Sequence, residues 1–125
     1  MKKYAIALLN LALIFGSVNV KAEDKIIPDF KTTLKQAEKG NAEAQHCLAW
    51  MYSNGKGVEK DDKQAVYWYT KAAEQNLPIA QNNLGLMYFE GKGVAKNLDI
   101  AKMWLKQACE NAYQDSCNAY QAISK

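Results

Sequence analysis

The chain predicts an all-α protein built as a short solenoid, and three features of its 125 residues carry that prediction. Slid along itself by 36 residues, the stretch 42–76 matches 78–112 at 14 of 35 positions. Four of those matches are consecutive, Gly55-Lys56-Gly57-Val58 against Gly91-Lys92-Gly93-Val94, inside an already periodic pattern. Within each copy the apolar residues recur at helical rather than strand spacing, so each copy reads as a hairpin of two helices.

Taken in order, residues 1–22 read as a secretory signal. Met1-Lys2-Lys3 is a charged start, residues 4–15 are mostly apolar with Asn10 interrupting, and Val20-Lys21-Ala22 offers a cleavage site. The apolar run is too short for the ~20 residues a membrane-crossing helix needs, although an uncleaved anchor is the alternative. Cleavage after Ala22 exposes Glu23, not a cysteine to be lipidated. Residues 23–125 are then one domain in an oxidising compartment, with 23–27 expected to fray.

Residues 29–41 form a leading half-repeat, with a helix over 29–39 whose apolar face is Phe30, Leu34 and Ala37. Repeat one spans 42–77. Its first helix carries Ala44, Leu48, Met51 and Tyr52 on one stripe, and its second carries Ala65, Trp68, Tyr69 and Ala72. Small residues at Ala49 and Ala65 let the antiparallel helices approach, while aromatic rings fill the remaining volume. Residues 54–61 turn the chain, with two glycines free to take positive φ and Val58 expected to pin the turn to the core. Asp61 with Gln64 three residues on resembles a capping box, and Pro78 suits a first helical turn. Repeat two, 78–112, copies these stripes as Ala80, Leu84, Met87, Tyr88 and Ala101, Trp104, Leu105, Ala108, with Val94 at the turn. Residues 113–125 form a terminal half-repeat, a first-type helix over 114–123 with Tyr120 and Ile123 in register with Leu84 and Met87. Gly40, Asn76 and Ala112 are spaced by 36 at helix ends that commonly need a left-handed residue. Because alanine disfavours that conformation, the end at Ala112 is expected to close differently.

Charge and chemistry narrow the function. All 16 basic residues are Lys, and three of them fall in the acid-free first 22 residues, so the remainder carries 13 Lys against 13 acids. The sequence pI of 8.7 therefore belongs to the leader, and no basic nucleic-acid footprint exists. Without Arg, guanidinium clamps on phosphate or carboxylate are impossible. The single His46 and adjacent Cys47 lie about 100° apart on a helix and do not face each other. One histidine and one spare cysteine are too few for a metal site, and no cofactor is implied. Gly55-Lys56-Gly57 and its copy lack the phosphate-loop pattern and recur with the fold, so they are turns. Asp61-Asp62 reads as a helix start rather than an acid/base pair.

The segment Ala44-Gln45…Leu48-Ala49-Trp50-Met51-Tyr52…Gly55-Lys56-Gly57-Val58…Ala65…Trp68 and its copy Ile79-Ala80-Gln81…Leu84-Gly85…Gly93-Val94 resemble the Sel-one-like repeat, a relative of the tetratricopeptide repeat. The likeness runs from Gly40 to the C-terminus and departs at Ala49, where the family favours glycine. It implies a right-handed α/α superhelix serving as a protein-interaction scaffold, often in the bacterial periplasm or at the cell surface. Secreted, cysteine-rich members bridge two cysteines eight residues apart; Cys109 and Cys117 have that spacing. These two are therefore expected to form a structural disulfide rather than stay two free thiols, with Cys47 left as a small buried residue beside the Met51 stripe rather than a reactive or intermolecular thiol.

In this superfamily the non-core face of the first-type helices lines a concave groove. That face holds Glu43, His46, Trp50 and Ser53 in repeat one and Ile79, Asn82, Leu86 and Phe89 in repeat two, with Asn118 continuing it. Large apolar residues off the core stripe point to a protein or peptide partner, against the plainer reading that they pack beneath neighbouring helices. The expectation is a periplasmic or secreted, non-catalytic interaction scaffold, with no nucleic acid and no stable membrane insertion after signal removal. The alternatives are an inhibitor or immunity protein against a periplasmic toxin or hydrolase, and a β-lactam-binding or weakly hydrolysing protein, which the cysteine-rich relatives suggest.

Overall fold

The computed structural model describes residues 29–125, where every regular element is a helix. Six follow one another: α1 (Phe30–Glu38), α2 (Ala42–Asn54), α3 (Asp62–Glu74), α4 (Pro78–Glu90), α5 (Leu98–Glu110) and α6 (Gln114–Ile123). Each packs chiefly on its sequence neighbours, which is how stacked helical hairpins share one continuous core. The expectations of a signal at 1–22 and of fraying at 23–27 fall on residues outside those described.

Local chemistry sets the helix boundaries. Asp29, Asn41, Asp61 and Asn97 each accept backbone N–H bonds from the first turn they precede, satisfying donors that have no partner inside the helix. At Asp61 only half of the expected capping box forms. Its carboxylate accepts from Lys63 and Gln64 N–H, but its own N–H donates to the Tyr52 carbonyl, so Gln64 has nothing to cap. The α4 start uses Pro78 and no side-chain cap. Gly55 and Gly91 end α2 and α4 in the left-handed region, at φ 64° and 69°.

The second-type helices α1, α3 and α5 all end the same way, which corrects the expectation for Ala112. Residues 40, 76 and 112 adopt φ of 97°, 62° and 67°. In each case that residue's N–H bonds back three residues and the next N–H bonds back five: Gly40 to Ala37 and Asn41 to Gln36, Asn76 to Ala73 and Leu77 to Ala72, Ala112 to Cys109 and Tyr113 to Ala108. This is the Schellman pattern, and Ala112 completes it despite its Cβ because the next helix must leave at the same angle as in the upstream units. A left-handed non-glycine residue costs about 1–2 kcal/mol. Ala112→Gly is therefore expected to stabilise the fold by about 0.5–1 kcal/mol after allowing for glycine's greater freedom when unfolded. Thermal unfolding should show a midpoint several degrees higher; an unchanged or lower midpoint would contradict the argument.

The anticipated stripes make the core. Leu48, Ala49, Ala65, Tyr69, Ala72, Ala80, Leu84, Ala101, Leu105 and Ala108 are buried, with Phe30, Leu34, Tyr52, Tyr88 and Trp104 packed against it half-buried. Val58 and Val94 are half-buried in their turns and are not part of this cluster.

Two buried glutamines stitch the units together. Gln45 and Gln81 each send their side-chain Nε2 eight residues back, to the carbonyls of Ala37 and Ala73, at 3.1 Å in both cases. Their Oε1 atoms accept from residues at the end of their own hairpins, Gln75 at 2.8 Å and Asn111 at 3.1 Å. A buried amide with both ends satisfied adds orientation to a core of otherwise non-directional contacts.

Candidate functional site: the wall of first-type helices

The first-type helices α2, α4 and α6 lie side by side, and two side-chain bonds join them directly. Asn83 Nδ2 lies 3.2 Å from His46 Nε2 between α4 and α2, and Ser116 Oγ donates to Asn82 Oδ1 at 2.7 Å between α6 and α4. The expected groove residues divide into two groups on this surface. Trp50, Ile79 and Phe89 are exposed at 37%, 36% and 36%, Glu43 and Asn118 are also exposed, and Leu86 and Ser53 are half-buried. Trp50 and Leu86 occupy the same register on adjacent helices, so they continue one apolar stripe across the wall. Lys96 lies over the Phe89 ring at 5.6 Å.

Asn82 and His46 belong to the second group, facing inward. Asn82 is 8% exposed and spends its carbonyl on Ser116, so it secures α6 and is closed to a partner. His46 is half-buried, its ring 5.6 Å from that of Tyr69, and burial holds its pKa below the usual value. Burial also pushes the Tyr69 hydroxyl up to about 12, opposed in part by its hydrogen bond to Asn83. His46, Tyr69 and Asn83 thus form a neutral polar knot between three helices. The residue stripes did not single out Asn83, Tyr69's polar end or Ser116 for this role; the only hint is that Asn83 stands in register with Cys47 and Ser116 with Ala80.

The knot makes stability depend on pH. His46 binds a proton near pH 6.5 when unfolded and resists it when folded, so its contribution is complete above about pH 6.5 and declines as the pH falls below that value. Urea midpoints are expected to drop between pH 7.5 and 5, and His46→Asn should flatten that slope. An equal slope in both proteins would remove the buried ring as its source.

Cys47 is free and half-buried, with its thiol pKa raised by burial. It lines a cleft of about 350 Å³ between α1 and α2, together with Thr32, Thr33, Gln36, Asn41 and Glu43. Thr32, Thr33 and Gln36 stand where repeat one has Trp68, Tyr69 and Ala72. The first described helix thus carries polar residues where repeat one has core residues, and Thr33 among them is still buried. Cys109 and Cys117 are bridged, their Cα atoms 4.6 Å apart.

Ser53-Asn54-Gly55-Lys56 has the Ser-x-x-Lys spacing, but the left-handed Gly55 lies between the two and takes Lys56 off the helix, so the pair does not share a helical face. Among the described residues no group of three or more His, Cys, Asp or Glu side chains could hold a metal ion. None of the described helices is long and apolar enough to cross a membrane.

Comparison with known proteins agrees with this geometry. The Sel1 repeat model matches residues 42–77 and 78–113. The crystal structure of a Sel1 repeat protein from Oxalobacter formigenes is similar at TM-score 0.68 and 40% identity, over 69% of this chain and 65% of that one, just under two thirds of its length. Cysteine-rich protein B of Helicobacter pylori is similar at TM-score 0.69 and 32% identity, over 72% of this chain and 68% of its own. A protective antigen of uropathogenic Escherichia coli with the same repeat fold matches at TM-score 0.53 and 30% identity, over 71% of this chain and 27% of that one. No curated protein sequence matches. With two tandem matches over more than half of its length and solved relatives of the same repeat, the chain belongs to the Sel1 repeat family.

Proposed function

We propose that this protein is an extracytoplasmic interaction scaffold, periplasmic or secreted, that holds a protein or peptide against the wall formed by α2, α4 and α6. Sel1 repeat proteins are generally non-catalytic scaffolds for protein–protein interaction, and the likeness to a cysteine-rich relative together with the disulfide supports export to an oxidising compartment. The observation that carries the reading is the apolar stripe of Trp50, Ile79, Leu86 and Phe89 on helices whose opposite face is already spent on the core. Exposed aromatic and aliphatic residues gathered on one wall are the usual anchors of a partner.

Exposed Tyr67, Leu98 and Met103 on the second-type helices provide the control. Affinity capture from periplasmic extract by wild type, Trp50→Ala with Phe89→Ala, and Met103→Ala tests the choice of wall. The expected result is a partner retained by wild type and Met103→Ala and lost, by tenfold or more in affinity, from the double variant. An equal catch from all three would sink the reading. An inhibitor or immunity role would use the same wall, and it is distinguished by a captured toxin or hydrolase whose activity falls on binding. We take the chain to be non-catalytic, and turnover of a chromogenic β-lactam by pure protein would overturn that.

A further inference from the structure

The 36-residue register places the disulfide where the upstream units use a glutamine. Residues 37, 73 and 109 are Ala, Ala and Cys; residues 45, 81 and 117 are Gln, Gln and Cys. In the first two units Gln45 and Gln81 clasp the carbonyls of Ala37 and Ala73 across the loop between hairpins. In the third, the same two positions are joined by Cys109–Cys117, again eight residues apart. The bridge therefore substitutes for a hydrogen-bonded clasp that α6 lacks.

Apart from its packing on α5 and the Ser116–Asn82 hydrogen bond, α6 has few holds of its own. It has ten residues, only Ser116 is fully buried, and no side chain caps its start, whereas α4 buries six residues. It follows Ala112 in the left-handed region, and Tyr120 and Ile123 are only half-buried. A helix of this length does not persist by itself in water.

We propose that Cys109–Cys117 is a redox latch on α6: reduction releases this helix from the stack while α2 to α5 remain folded. A dithiol reductant supplies the chemistry. Its thiolate attacks one Sγ, the Sγ–Sγ bond breaks, and the second reductant thiolate resolves the mixed disulfide. Two electrons and two protons pass to Cys109 and Cys117 as thiols, and the reductant leaves as a disulfide. Release removes Asn118 from the wall and parts Ser116 from Asn82, turning a buried amide into an exposed one. That consequence for binding rests on the scaffold reading above; release of α6 does not.

Hydrogen exchange of the purified protein, read by mass spectrometry, tests the latch without any partner. Three samples are compared: oxidised wild type, wild type in dithiothreitol, and Cys109→Ala/Cys117→Gln, which restores the upstream pairing. The expected result is a loss of protection over 114–123 of up to about a hundredfold on reduction, the scale of the loop-closure effect of a short bridge, with residues 42–110 unchanged. The double variant is expected to stay protected with or without dithiothreitol. Unchanged protection of 114–123 on reduction would overturn the proposal, as would loss spreading through α2 to α5. A double variant that exchanges like reduced wild type would overturn the equivalence of bridge and clasp.

Discussion

Leu84→Ala is expected to destabilise the protein by about 3–5 kcal/mol, the upper range for a large-to-small change at a site that cannot collapse. Leu84 is fully buried in α4, the helix on which α3 rests from one side and α5 from the other. In a stack where each unit contacts only its neighbours, a cavity at this central helix weakens both interfaces together. Gly85, alongside, already lies so close to Leu105 that an added Cβ would stand 2.8 Å from its Cγ, so the facing helix is in contact and has no slack to fill the void. Against a total stability of about 5–15 kcal/mol for a domain of this kind, such a loss leaves a marginal fold. Urea unfolding checks it, and a change below about 1.5 kcal/mol, the range of volume-conserving swaps, would show that the core repacks.

Gly93→Ala is expected to cost about 2–4 kcal/mol, combining a left-handed backbone with a steric collision. Gly93 has φ 70°, and a methyl group there would run into the carbonyl group of Asp62 at the start of α3. The turn of repeat two thus rests directly on the backbone of repeat one. Its counterpart Gly57 would meet the flexible end of Met51 and the Cβ of Phe30 instead. Gly40 has φ 97° with open space around it, so Gly40→Ala carries the backbone cost alone, about 1 kcal/mol. Thermal or urea unfolding of the two variants side by side separates the terms. Equal losses would mean that the turn of repeat two can lift off α3 without penalty.

Helices and core were legible because both come from short-range geometry. A stripe at i, i+4, i+7 and i+8 identifies the buried face of α2 and α4 wherever they pack, and the recurrence of Gly55 and Gly91 marks where the chain must turn. The pairing of Cys109 with Cys117 was legible through the resemblance to cysteine-rich relatives. Polar side chains were harder to place. Gln45 and Gln81 are among the repeated identities, but nothing in their own helices says that they reach the carbonyls of Ala37 and Ala73. Asn82 looked like a groove residue because helical spacing puts it beside Leu86 and Ile79. Ser116, 34 residues away, turns it inward.

Ala112 shows where local preference yields. Its residue type argues against φ 67°, yet the packing of α6 requires the exit angle that Gly40 and Asn76 provide in the earlier units. The 36-residue period and the small, aromatic and glycine positions within it were enough to determine the helices, their order and the shared core, since each follows from contacts within one or two turns. Only the folded stack decided which polar groups face inward, which apolar ones remain on the open wall, and what holds the last helix. Those outcomes depend on partners roughly thirty or more residues distant, such as Asn83 for His46 and Asn111 for Gln81, and helical periodicity carries no information at that range.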